Sequence, residues 1–237
     1  MVKRKTALII RKTHRYLGIF LGIQFLMWTI SGLYFSWTDI DEIHGDHFRR
    51  ELKPAAHENM PGLDSILPGT PVFSMELRTV GNTPYYWIND SLLVDAANGT
   101  VKPQISREEA LQVANAHILE ALKVKSVDLI TSAGKHHEYR ERPLPAYVIS
   151  YEHPENIKAY VSARDGLFQR VRHRSWRWFD FLWMTHTMDY EGRDDFNTAV
   201  LRAFSLLGLI TVLSGFLLWY VSSPTWRKLI NSKKKQK

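Results

Sequence analysis

A run of 22 residues without one charge, Tyr16 to Trp37 (YLGIFLGIQFLMWTISGLYFSW), constrains this chain more than any other feature. At 1.5 Å per helical residue it covers the roughly 30 Å of a bilayer's hydrocarbon core. The apolar ALII ahead of the basic group places the helix start near Ala7. A secretory signal peptide would carry a shorter apolar region followed by an Ala-x-Ala-like site. Trp37-Thr38-Asp39-Ile40-Asp41 stands there instead, so the run reads as an uncleaved anchor. A second apolar run extends from Ala203 to Val221, and Pro224 stops it.

The formal net charge is +7. Lys3, Arg4, Lys5, Arg11, Lys12 and Arg15 crowd the start; Arg227, Lys228, Lys233, Lys234, Lys235 and Lys237 crowd the end. A basic chain also suits nucleic acid, but these clusters abut the apolar runs, where they set orientation and place both ends in the cytoplasm. No nucleic-acid partner is expected; the bilayer is. Trp28, Tyr34 and Trp37, with Trp219, Tyr220 and Trp226, suit interfacial aromatic belts. A mean hydropathy of -0.24 argues against a polytopic carrier and fits two spans framing a polar domain. With no cysteine, disulfides, thiol catalysis and iron–sulfur sites are excluded.

Gly18 and Gly22 form a G-x-x-x-G, and Ser31-Gly32 and Ser214-Gly215 are small pairs late in each span. Small residues let helix backbones approach closely. Two helices bury little alone, so a homodimer forming a four-helix bundle is expected. The fold class is thus an α+β membrane protein: residues 1–37 a basic segment and first span, 38–175 a periplasmic α+β domain, 176–198 an amphipathic juxtamembrane segment, 199–223 the second span, 224–237 a basic tail.

Within the domain, Pro84–Ile88, Ser91–Val94, Ala146–Ser150, Lys158–Val161 and Leu167–Val171 are strand-like, with turns at Asp95–Thr100 and Asp165-Gly166. Ser106-Arg107-Glu108-Glu109 is a capping box that opens a helix reaching Leu122.

ISREEALQVANAHI, with strands ending in VDAANGTV and YVSARDGLFQRV, resembles the PepSY module. His14-Arg15-x-x-Gly18 leading to Ser31-Gly32 looks like the PepSY-associated transmembrane helix, and Leu182-Trp183-Met184-Thr185-His186 resembles that family's Leu-His element, with Met184-Thr185 interposed. The resemblance covers nearly the whole chain. It implies an inner-membrane protein similar to haem-containing reductases of ferric iron or ferric siderophores. Those relatives commonly have four spans in one chain; two spans here imply that a haem site carried over from them is completed by dimerisation.

No Gly-x-Gly-x-x-Gly, Walker or His-Glu-x-x-His motif occurs. Histidines at the span boundaries stand out instead. His14 sits among Arg11, Lys12 and Arg15, cations that suit anionic haem propionates; the bland alternative is a polar interfacial residue. No histidine follows His186, so a bis-histidine haem at the depth of His14 requires His14 from two protomers. On the far side, His186 is the candidate partner of His44 or His47, in bis-His ligation that suits electron transfer. Trp176, Trp178, Phe179, Phe181, Trp183 and Met184 make an aromatic run beside His186 that reads as an interfacial helix. Asp39, Asp41, Glu42 and Asp46 offer hard oxygen donors that suit Fe(III); the alternative is an ordinary polar loop. His136-His137 with Glu138 is a weaker metal candidate.

The expected function is a b-type haem protein, with one or two haems per chain or per dimer. It moves electrons from quinol or a cytoplasmic reductase to periplasmic ferric iron or ferric siderophore and feeds a ferrous iron transporter. A non-enzymatic PepSY protein that binds or regulates a peptidase or transporter partner is the competing expectation, and a transporter accessory subunit without redox activity a third.

Overall fold

A computed structural model describes residues 4–53, 55–58, 60–119 and 122–223. Lys3, Pro224, Trp226 and the basic run from Arg227 lie outside the described residues. The chain divides into two compact units, Met1–Trp37 with Leu182–Lys237 and Thr38–Phe181.

The first unit holds two helices long and apolar enough to cross a membrane, α1 (Arg4–Trp37) and α6 (Ala199–Ser222). α1 starts ahead of Ala7, because neither Gly nor Pro interrupts the basic segment and Lys and Arg are good helix formers. Thr198 caps α6, its hydroxyl accepting from the Leu201 N–H at 3.2 Å. The two helices run antiparallel in contact: His14 meets Ser214, while Phe25 reaches Gly208. A Cβ at Gly208 would sit 3.2 Å from the Phe25 ring, so this glycine lets the helices close up. Phe20 stacks on Phe204 beside it, with centroids 5.8 Å apart. Gly18 and Gly22, by contrast, meet nothing within 4 Å inside the chain, so the expected G-x-x-x-G contact is not one between these two helices.

The second unit is α+β. One antiparallel sheet has the order β1 (Met75–Val80), β2 (Thr83–Ile88), β3 (Leu92–Asp95), β4 (Val101–Lys102); the other has the order β5 (Val124–Ile130), β6 (Ala146–Tyr151), β7 (Lys158–Ser162), β8 (Phe168–Arg172). Two short helices, α2 (Ile40–His44) and α3 (Leu63–Ile66), precede the first sheet. α4 (Arg107–His117) opens with the expected capping box: Ser106 Oγ accepts from the Glu109 N–H and Glu109 accepts from the Ser106 N–H. Its buried face, Ala110, Val113 and Ala114, packs into one core with Tyr85, Trp87 and Leu93 of the first sheet and Ile149, Ala159 and Val161 of the second.

α4 stops at His117 rather than reaching Leu122. The extended segment at 48–50 captures the chain there: Arg50 N–H donates to the His117 carbonyl at 2.7 Å and Leu119 N–H to the Phe48 carbonyl at 3.0 Å. Backbone groups satisfied across the fold no longer need a further helical turn. α5 (Arg174–Thr187) follows β8 and carries the aromatic run.

Candidate functional site

His14 lies in the third turn of α1, half-buried. Its Nδ1 is 2.8 Å from Ser214 Oγ on α6. Gly215 gives the ring its room, since a Cβ there would stand 3.2 Å from His14 Cε1. Arg11, Lys12 and Arg15 around it are exposed, and the Arg15 guanidinium lies 5.3 Å from the Tyr16 ring centroid. No hydrogen bond to His14 Nε2 occurs among the described residues.

His186 occupies the last turn of α5 and packs on α1. Its Nδ1 is 2.7 Å from Ser31 Oγ, and its ring meets Phe35 edge-on at 5.5 Å between centroids. α1 side chains also satisfy the carbonyls that end α5: Trp28 Nε1 donates to the His186 carbonyl at 2.8 Å and Gln24 Nε2 to the Thr185 carbonyl at 3.2 Å. Trp183 stacks edge-on against Phe35 and Phe196. No hydrogen bond to His186 Nε2 occurs among the described residues either. His14 and Ser31 are 17 positions apart on one helix, a rise of about 25 Å, so the two imidazoles sit at opposite ends of the apolar span.

Both imidazoles therefore have one nitrogen held by a serine hydroxyl and the other available. That is the arrangement in which a histidine makes a metal ligand, because the bond at one nitrogen orients the ring and fixes which nitrogen can ligate. The donor set fits a haem iron, which takes imidazole nitrogen axially, and exposed cations lie beside His14 to pair with anionic side groups. The chain brings His14 and His186 to separate ends, so neither is the other's partner on one iron.

His44 and His47 belong to the second unit, and both are exposed. His47 lies against Phe48 at 3.9 Å and 5.4 Å from His173, centroid to centroid. His173, just past β8, is buried, with Nε2 3.1 Å from the carbonyls of both Glu42 and Ile43, and it ties α2 to the end of β8; it was not among the expected site residues. Burial pushes its pKa down from the ordinary value, and the neighbouring His47 adds to this.

The acidic loop is largely committed to local structure. Asp39 is the N-cap of α2, Oδ1 accepting from the Asp41 N–H at 2.9 Å, and Asp46 pairs with Arg49 at 3.3 Å. Asp41 and Glu42 are exposed. Among the described residues no three His, Asp or Glu side chains form a group that could hold a metal ion.

His137 and Glu138 have other partners. His137 Nδ1 accepts from the Tyr139 N–H at 3.0 Å. Glu138 accepts from Arg177 Nε at 2.7 Å, Lys158 Nζ at 2.9 Å and the Tyr160 hydroxyl at 2.6 Å. Burial pushes its carboxyl pKa up, but these donors outweigh burial and hold it at about 2.

A family model described as "PepSY-associated TM region" matches residues 2–221. No curated protein and no solved structure matches the chain.

Proposed function

We propose that this chain, which belongs to the PepSY-associated TM region family, is an inner-membrane haem b protein that passes electrons outward to reduce ferric iron or a ferric siderophore in the periplasm. The observation that carries the reading is the pair of half-buried histidines, His14 and His186, each with Nδ1 on a serine and each at one end of the apolar helix.

Haem, when bound, supplies the one-electron chemistry. The chain's own residues would fix its position: His14 and His186 would hold it, one near each membrane face, and Arg11, Lys12 and Arg15 would neutralise its anionic edge at the cytoplasmic face. Two sites, one at each face, would shorten a crossing of about 30 Å that a single site would leave too long for efficient transfer. Each face offers one fixed histidine per chain, so a second copy would supply the other, giving one site per face of a homodimeric four-helix bundle. Gly18 and Gly22, open on the outside of α1, suit that contact. Electrons enter from quinol or a cytoplasmic reductase, and the ferrous product suits a ferrous iron transporter.

The test is an absorption spectrum of detergent-purified protein, oxidised and then reduced with dithionite. The expected result is a sharp b-type spectrum, about half lost in His186→Ala and about half in His14→Ala, with ferric reduction abolished in both. Normal haem content in both variants would sink the assignment.

A second reading has the α+β unit bind or regulate a peptidase or transporter partner, with the helices as anchors. Its support is β1, an outer strand with Met75 and Leu77 half exposed and Phe73 beside it 89% exposed. A free strand edge with apolar side chains is a ready docking edge for another chain. A colourless purified protein would favour this reading.

A further inference from the structure

The two serine–histidine contacts share a detail that fixes where the protons are. Ser31 Oγ lies 2.6 Å from the Met27 carbonyl oxygen, and Ser214 Oγ lies 2.7 Å from the Thr211 carbonyl oxygen. A carbonyl only accepts, so each serine spends its single O–H inside its own helix. The remaining capacity of each hydroxyl oxygen is as an acceptor. The 2.7 Å contact to His186 and the 2.8 Å contact to His14 are therefore Nδ1–H donating to Oγ.

The two contacts are also reciprocal. The chain carries Thr-His followed by Ser-Gly twice: Thr13-His14 with Ser31-Gly32, then Thr185-His186 with Ser214-Gly215. Each histidine docks on the serine of the other copy. His14 and Ser31 both lie on α1, while His186 ends α5 and Ser214 lies on α6, so the two docking points are separate contacts of the helical unit.

We propose that Ser31 and Ser214 are positioning residues that lock His186 and His14 as Nδ1–H tautomers and leave each Nε2 lone pair as the ligating atom. The ligating role rests on the haem reading above; the tautomer lock does not. A hydroxyl that accepts from Nδ1–H also makes the imidazole a stronger electron donor. Each serine thus tunes the redox potential of the haem at its own end only.

The lock is tested by NMR of full-length, haem-free protein labelled with 15N-histidine, in detergent at alkaline pH, with His14→Gln and His186→Gln assigning the two rings. The expected wild-type result is a protonated Nδ1 and a bare Nε2 in both. Ser31→Ala should mix the tautomers of His186 alone, Ser214→Ala those of His14 alone, and Ser31→Thr should keep the wild-type pattern. Nε2–H tautomers in the wild type, or an alanine variant that alters both rings together, would overturn the lock. In haem-loaded protein, each alanine variant should raise one midpoint potential and leave the other; tautomers that change while both potentials stay put would overturn the tuning role. A wild-type protein that takes up no haem would end the haem reading, and the tautomer readout would still decide the lock.

Discussion

His14 and Ser214 are 200 positions apart in the chain and 2.8 Å apart in space, with Gly215 against the same ring. The ring has no slack on that side. Gly215→Val should push the imidazole off Ser214 and, on the proposed haem reading, weaken haem retention at that end roughly 10- to 100-fold, the usual cost of disturbing a residue that orients a ligand. Gly32, which meets nothing within 4 Å, is the matched control: Gly32→Ala should leave haem retention unchanged. Haem titration of the two variants side by side checks both halves.

Glu138 predicts an acid limit for the α+β unit. The unfolded carboxyl titrates near 4.5 and the folded one at about 2, so the unfolded chain binds the proton more readily in that interval. The stabilisation is full above the unfolded pKa and is lost as pH falls through the folded one, worth up to about 3 kcal/mol. Thermal unfolding of the full chain from above pH 4.5 down to about 2 should show the loss. Glu138→Gln should be destabilised at neutral pH by about 2–4 kcal/mol, because Arg177 and Lys158 lose their counter-charge, and should show a flatter acid dependence.

Gly18 and Gly22 predict an oligomeric readout. Gly18→Ile with Gly22→Ile adds bulk where the chain itself has open space, so the single-chain fold should tolerate it while contact with a second copy is lost. Cross-linking or sedimentation in detergent should then give monomer for the variant and the proposed dimer for the wild type. A double variant that stays dimeric would move the contact elsewhere.

Gly166 turns β7 into β8 at φ +71°, and a Cβ there would run into Val80 of the first sheet. Gly166→Ala therefore meets a backbone penalty and a steric one together. It should destabilise the α+β unit by about 2–3 kcal/mol, read as a lower unfolding midpoint. Gly134→Ala, with nothing within 4 Å, should be near neutral.

Much of the fold is legible from local pattern. The apolar runs give α1 and α6, the capping box gives the start of α4, and the aromatic and β-branched runs give β2, β3, β6, β7 and β8. β1 and β5 were missed: MELRTV and VKSVDLI interleave charges and small polar residues with apolar ones, and partner strands rather than their own hydrophobicity secure them. The site divides the same way. His14 and His186 stand out because imidazole is rare beside a membrane span. Ser31 and Ser214 read as small packing residues, because their partners lie 155 and 200 positions away and no local spacing announces them. Glu138 looked like a metal donor beside two histidines, and only the fold reveals the cations that claim it.

The helical unit is discontinuous: the ribosome makes α1 first, then the α+β unit, then α6. When α1 is made, neither of its two serine–histidine contacts exists yet. Ser31 waits for His186 and His14 waits for Ser214, the latter almost the last part of the bundle to be made. A chain arrested before α6 lacks Ser214, so the His14 ring has no serine to dock on until synthesis has delivered the second helix.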